Sequence, residues 1–211
     1  MGLDDIIFLP LELPDLKLEN FSDNFEKYSR VMPDTTTYSY SNGIEGKTTT
    51  NLNYWSQWVV FNNKIWNEDF VNLYPNFVTI VETLPYEKLI RIYFFKQIKE
   101  LTPHKDFVTG LDTGYPSAIR YWVINEELDR TFYFIHNDKK IFPKYPEDTK
   151  WWIMNSTFVQ HGSHMPENSK EKIIMGVYGI PDEKSMKTLI KKSENKYNEY
   201  MVMKEKFECV L

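Results

Sequence analysis

Hydrophobic and polar positions along the chain fall into three regimes. Up to about residue 50 the apolar residues come in short bursts, and Pro10 and Pro14 keep the opening from running as one helix. Residues 1–50 therefore read as an irregular arm. Within it, Pro33 to Thr50 is rich in Thr, Ser, Tyr and Gly, which predicts a loop or an edge hairpin. Apolar residues then thicken through Tyr54, Trp55, Trp58, Val59, Val60 and Phe61. Asn67-Glu-Asp predicts a short helix with acidic residues in its first turn, interrupted by Pro75. A second helix is expected from Phe77 to Leu84, ending at Pro85, and both should pack on the outside of a sheet.

From Leu89 the period changes. Ile90 to Ile98, Ala118 to Asn125, Thr131 to Ile135, Trp151 to Asn155, Thr157 to His161 and Lys172 to Gly179 are rich in β-branched and aromatic residues. Each reads as a strand, and they are joined by turns with no helices between them. That pattern predicts a mainly β protein with flanking α, an antiparallel barrel or sandwich. The last regime, Asp182 to Lys206, is charged, with Met186, Leu189, Ile190, Tyr197 and Met201 in helical spacing, and predicts a surface helix.

Length and composition narrow this picture. The 211 residues suit one domain: an arm with buttressing helices over 1–84, a β core over 85–180 and a C-terminal helix over 181–211. A net charge of -5, with Lys and Arg scattered, gives no electrostatic case for nucleic acid. Cys209 is the only cysteine, so no intrachain disulfide framework is expected. No apolar run of about 18 residues occurs and no signal peptide is evident, so a soluble, cytoplasmic protein without membrane contact is expected.

Candidate chemistry centres on Leu-Thr-Pro-His-Lys-Asp, residues 101–106. His104 and Asp106 are two positions apart, so in an extended segment both side chains leave one face. With a second histidine they would form a facial triad that holds Fe(II) and leaves coordination positions open. His161 and His164 are the candidates for that ligand, with His161 favoured because it ends a predicted strand. His136 follows another strand and reads as a surface residue. By itself the triplet reads rather as a surface histidine after a proline with a turn-forming aspartate, and it is the surroundings that favour a metal site.

Four pieces in this order resemble the Fe(II)- and 2-oxoglutarate-dependent oxygenases, in particular the aspartyl/asparaginyl β-hydroxylase and prolyl hydroxylase branches. Pro103-His104-Lys-Asp106 resembles the P-H-x-D that supplies two iron ligands. Arg120-Tyr-Trp-Val-Ile-Asn125 is similar to the following strand, whose arginine or aromatic residues face the active site. Trp152 to His161 resembles the stretch leading to the distal histidine. Asn168 to Ile174 resembles the segment whose cation holds the far carboxylate of 2-oxoglutarate. The match spans about residues 85–179.

The resemblance implies a double-stranded β-helix (jelly-roll, cupin-like) dioxygenase acting as a hydroxylase, with 2-oxoglutarate and O₂ as co-reactants. It implies His104, Asp106 and His161 (or His164) as metal ligands. Lys172 would anchor the cosubstrate, with Arg120 as the rival, and Tyr121, Trp122 and Asn125 would line the substrate pocket. A carboxylate at position 106 argues against a halogenase, which needs that coordination position for a halide. Competing expectations are a non-catalytic cupin-like binding module and an interaction protein working through its aromatic N-terminal half. The loops near 34–50 and 110–116 would flank the mouth. The substrate class, a protein side chain or a small molecule, is left open.

Overall fold

The alternating apolar pattern that begins near Leu89 builds two antiparallel sheets, and the chain before and after it widens one of them. The computed structural model describes residues 5–31, 35–41, 44–50, 55–97, 100–105, 118–124, 131–136, 138–155, 159–165 and 172–203. Before the core come strands β1 (Ile6–Pro10), β2 (Arg30–Val31), β3 (Thr35–Ser41), β4 (Ile44–Thr50), β5 (Trp55–Asn62) and β6 (Ile65–Trp66). The core strands are β7 (Tyr86–Gln97), β8 (Leu101–His104), β9 (Ala118–Ile124), β10 (Phe132–His136), β11 (Lys139–Ile141), β12 (Trp151–Met154), β13 (His161–Ser163) and β14 (Ile173–Pro181). A last short strand is β15 (Val202–Met203), and the helices are α1 (Phe21–Tyr28), α2 (Glu68–Leu73), α3 (Pro75–Glu82) and α4 (Glu183–Tyr197).

The larger sheet has the order β15-β1-β12-β9-β14-β7-β5-β2, with β6 paired to β5, and the smaller has the order β11-β10-β13-β8. Followed along the chain, β7 to β14 pass between the two sheets, so that each is assembled from strands distant in sequence. All pairings among them are antiparallel. The protein is thus β-rich with a few flanking helices, as the pattern predicts. β3 and β4 form a separate two-stranded ribbon.

Strand alternation divides the larger sheet into two faces. Ile119, Tyr121, Trp151, Ile153, Met175 and Val177 pack with Phe21 and Phe25 of α1, Phe70 of α2, Phe77 and Val81 of α3, and Met186 and Ile190 of α4. Their neighbours Trp122, Trp152, Met154 and Ile174 turn the other way and meet Phe132 and Phe134 of the smaller sheet. The helices therefore buttress one face, and the interior between the sheets lies on the other. Asn67 caps α2 by accepting a hydrogen bond from the Phe70 N–H at 2.9 Å, and Pro75 opens α3 where a missing N–H costs nothing.

The N-terminal arm is more regular than its sequence suggests. β1 is buried along its whole length and lies between β12 and β15. Pro10 ends that strand instead of breaking a helix.

Candidate functional site

The site begins with the pairing of β8 and β13. His104 and His161 are direct cross-strand partners, and their rings lie 4.5 Å apart between centroids. β8 is the edge of the smaller sheet, which is where a strand tolerates the missing N–H of Pro103. His161 is buried, 3% exposed, with its ring against Phe132; His104 is half-buried.

Both imidazoles are oriented by their own backbone. Nδ1 of His104 donates to the Thr102 carbonyl at 2.9 Å, and Nδ1 of His161 donates to the Val159 carbonyl at 3.3 Å. A carbonyl only accepts, so the neutral ring keeps its proton on Nδ1 and its lone pair on Nε2. Tying the second nitrogen of a ligand histidine to a carbonyl is how ring orientation and tautomer are commonly set in metal sites.

His164 is engaged elsewhere. Its Nδ1 meets Glu100 Oε1 at 2.9 Å, its Nε2 accepts from Lys140 Nζ at 2.9 Å, and its ring packs on Tyr133 and Phe142. The structure therefore joins His161, and not His164, to His104. Asp106 and Asn125 lie outside the described residues, and among the described residues no group of three His, Cys, Asp or Glu gathers. His136, read as a surface residue, is half-exposed at the end of β10.

Lys172 enters the interior from the larger sheet, immediately before β14. It is 2% exposed, its Nζ donates to Ser163 Oγ, and it sits 5.5 Å over the Trp122 ring. Among the described residues no carboxylate pairs with it, and desolvation holds its pKa down to about 7. A buried cationic group with only a hydroxyl and an indole face for company is suited to receive an anion.

Arg120 shares the inner face with Trp122, one step along β9. It is 8% exposed and lies 5.5 Å over the Trp152 ring. Trp122 and Trp152 stack at 5.1 Å, so the two cations stand on opposite ends of one indole pair. Register separates them: Arg120 is level with Gly176 and Tyr93, whereas Lys172 is at the far end of β14 beside Gln97. Four residues along a strand amount to about 13 Å between their backbones, so the two cations enter the interior from different levels of the sheet.

Of the expected pocket pair, only Trp122 faces the interior. Tyr121 points to the helix side, where its hydroxyl donates to Asp15 Oδ1 and accepts from the Leu16 N–H at 3.3 Å. In a regular strand adjacent residues leave opposite faces. Burial and the Asp15 carboxylate push the Tyr121 pKa well above its ordinary value, so it stays a neutral structural donor.

Of the two loops expected to flank the mouth, the stretch near 34–50 contains the β3–β4 ribbon, and the one near 110–116 lies outside the described residues.

Two residues that the sequence reading passed over belong to the site. Ser163 is two positions after His161, a spacing that by itself places both on one face. Gln97 bridges the sheets: its N–H donates to the Lys172 carbonyl and its Nε2 to the Ser163 carbonyl, each at 3.1 Å. Nothing local marks Gln97, because its role depends on pairing with distant strands.

No protein-family model matches the chain, and no curated protein is significantly similar to it.

Proposed function

We propose that this protein is an Fe(II)- and 2-oxoglutarate-dependent dioxygenase on a double-stranded β-helix, hydroxylating a protein side chain or small molecule. The fold part rests on strand order: apart from the β10–β11 hairpin, successive strands from β7 to β14 switch between sheets of order β12-β9-β14-β7 and β11-β10-β13-β8, the arrangement of a jelly roll. The observation that carries the function is the His104–His161 pair, with rings 4.5 Å apart, facing the same interior as the buried Lys172.

The donor set fits the metal. Two imidazoles on neighbouring strands, each with its Nδ1 tied to a carbonyl of its own backbone and its lone pair on Nε2, can converge on one ion at bonds of about 2 Å. Asp106, two residues beyond His104 in sequence, is the proposed third ligand. Bound Fe(II) and 2-oxoglutarate would supply the oxidising chemistry that inserts oxygen into an unactivated C–H bond.

The chain's own residues do the remaining work. Lys172 holds the far carboxylate of the cosubstrate in a place where an unpaired anion would be very costly. Trp122, Trp152 and Phe132 keep water out between the two sheets. Arg120, on the same inner face but level with Gly176 toward the Ala118 end of β9, is the proposed contact for the prime substrate.

The test is anaerobic addition of Fe(II) and 2-oxoglutarate, followed by air. A faint visible absorbance and then iron-dependent consumption of 2-oxoglutarate are expected, both lost in His104→Ala and His161→Ala. Metal binding without any consumption would instead make the chain a cupin-like binding module. Failure to bind metal at all would end both readings.

A further inference from the structure

We propose that Ser163 is the positioning residue of the cosubstrate site, the hydroxyl that fixes where the Lys172 ammonium stands. This rests on the dioxygenase reading above and adds a residue to it.

Ser163 Oγ donates its proton to the Thr131 carbonyl at 3.0 Å. A hydroxyl committed in this way presents only lone pairs to its other neighbours. It therefore accepts from Lys172 Nζ and turns one of the three ammonium donors toward β13. The other two are left for a carboxylate. Without that acceptor the four-carbon stem would be free to choose among rotamers, and an incoming anion would have to order it on binding.

The backbone around the hydroxyl is fixed just as firmly. Gln97 ties the Lys172 carbonyl and the Ser163 carbonyl to one residue of β7, so the strands that carry the donor and the acceptor cannot drift apart. The Thr131 carbonyl is held by the same segment twice, since it also accepts from the His164 N–H at 2.6 Å. Ser163, Lys172, Gln97 and Thr131 are all under 5% exposed. Water therefore cannot stand in for a lost partner without opening the interior. Among the described residues the side chains against the Lys172 amine are neutral: Ser163 from β13 and Trp122 from β9.

The arrangement makes Ser163 act through Lys172. Ser163→Ala should weaken 2-oxoglutarate binding about tenfold, the size of one hydrogen bond to a charged group. The loss should fall on the affinity for 2-oxoglutarate more than on the rate at saturating 2-oxoglutarate. Ser163→Thr, which keeps the hydroxyl, should restore affinity to near that of the native chain.

The dissociation constant is measured anaerobically with Mn(II) in place of iron, so the result does not depend on turnover. A second readout is the pH titration of tryptophan emission, with Lys172→Met as the blank, because the amine lies on the Trp122 face. Losing the acceptor disfavours the ammonium, so the midpoint near 7 should fall in Ser163→Ala and return in Ser163→Thr. Native affinity in Ser163→Ala would overturn the proposal, and so would equal weakening by Ala and Thr, which would mean mere packing damage. If Lys172→Met itself binds 2-oxoglutarate normally, the cosubstrate site has been misassigned and the failure lies with the functional reading.

Discussion

An amine enclosed between Trp122 and Ser163 gives the chain a pH signature. The pKa of Lys172 stands near 7, against an ordinary value of 10.5, because burial penalises the charged form. Between those two pH values the unfolded chain holds a proton that the folded chain does not. Stability should therefore rise with pH across that window, by up to about 1.4 kcal/mol per unit. The penalty is present in full below about pH 7 and has gone by about pH 10.5. Lys172→Met should accordingly melt higher than the native chain at neutral pH, with the gap closing toward pH 10, while losing 2-oxoglutarate binding. Thermal unfolding at two pH values checks this; a variant less stable at pH 7 would mean the amine is not held as described. At the same scale, His161→Ala should abolish metal binding and His164→Ala should leave it, since His164 is spent on Glu100 and Lys140. Isothermal titration with Mn(II) separates the two. Gly162 stands between His161 and Ser163, and a Cβ there would come within 2.8 Å of the Leu101 carbonyl oxygen and 2.5 Å of the Tyr133 hydroxyl. Gly162→Ala should thus force β13 away from β8 and cost about 2 kcal/mol in denaturant unfolding.

The elements show which signals a chain carries locally. α2 and α3 are legible because their punctuation is chemical: Asn67 accepts from an early helical N–H, and Pro75 is tolerated only at a helix start. Asn67→Ala should cost about 1 kcal/mol by chemical denaturation, the usual worth of such a cap. β7, β9 and β14 read close to their true limits because each is a long run of β-branched and aromatic residues. β13 does not, and the expected strand from Thr157 to His161 begins at His161 and runs to Ser163. His-Gly-Ser has no intrinsic preference for a strand; its conformation is imposed by β10 on one side and β8 on the other. β1 is hidden for another reason. A strand buried on both faces shows an apolar run without alternation, and Ile6 to Leu9 is such a run beside a proline. His161 was legible as the end of an expected strand and Lys172 as a cation opening an apolar one, but Gln97 was not, since the register that brings it to two carbonyls is a property of the pairing.

At the scale of the whole molecule, the division of labour between the two faces of the larger sheet governs what can be changed. The helix-side face and the inter-sheet face draw alternate residues from the same strands, so a slip of one residue would exchange Arg120 and Trp122 for Ile119 and Tyr121. β1 contributes to both layers: Ile6 and Leu9 to the helix side, Ile7 and Phe8 to the interior. All four are at most 1% exposed, and burying such side chains is worth about 2 kcal/mol each. That sum rivals the net stability of a typical domain, about 5–15 kcal/mol. Deleting residues 1–10 should consequently leave a chain without a cooperative thermal transition, and calorimetry would show it. No helix among the described residues is long and apolar enough to cross a membrane.

β1 also sets the order in which the protein can come into being. It is made early, yet its partners are β12 and β15, with Ile6 waiting for Met203. During synthesis this apolar segment must remain unpaired until β12 and β15 have emerged from the ribosome. Contacts of such long sequence separation make folding slow and leave intermediates prone to aggregate. The hydrophobic segment that finishes the sheet is therefore the one with most need of a chaperone, and expression at low temperature should recover more of the chain in native form than rapid production at high temperature.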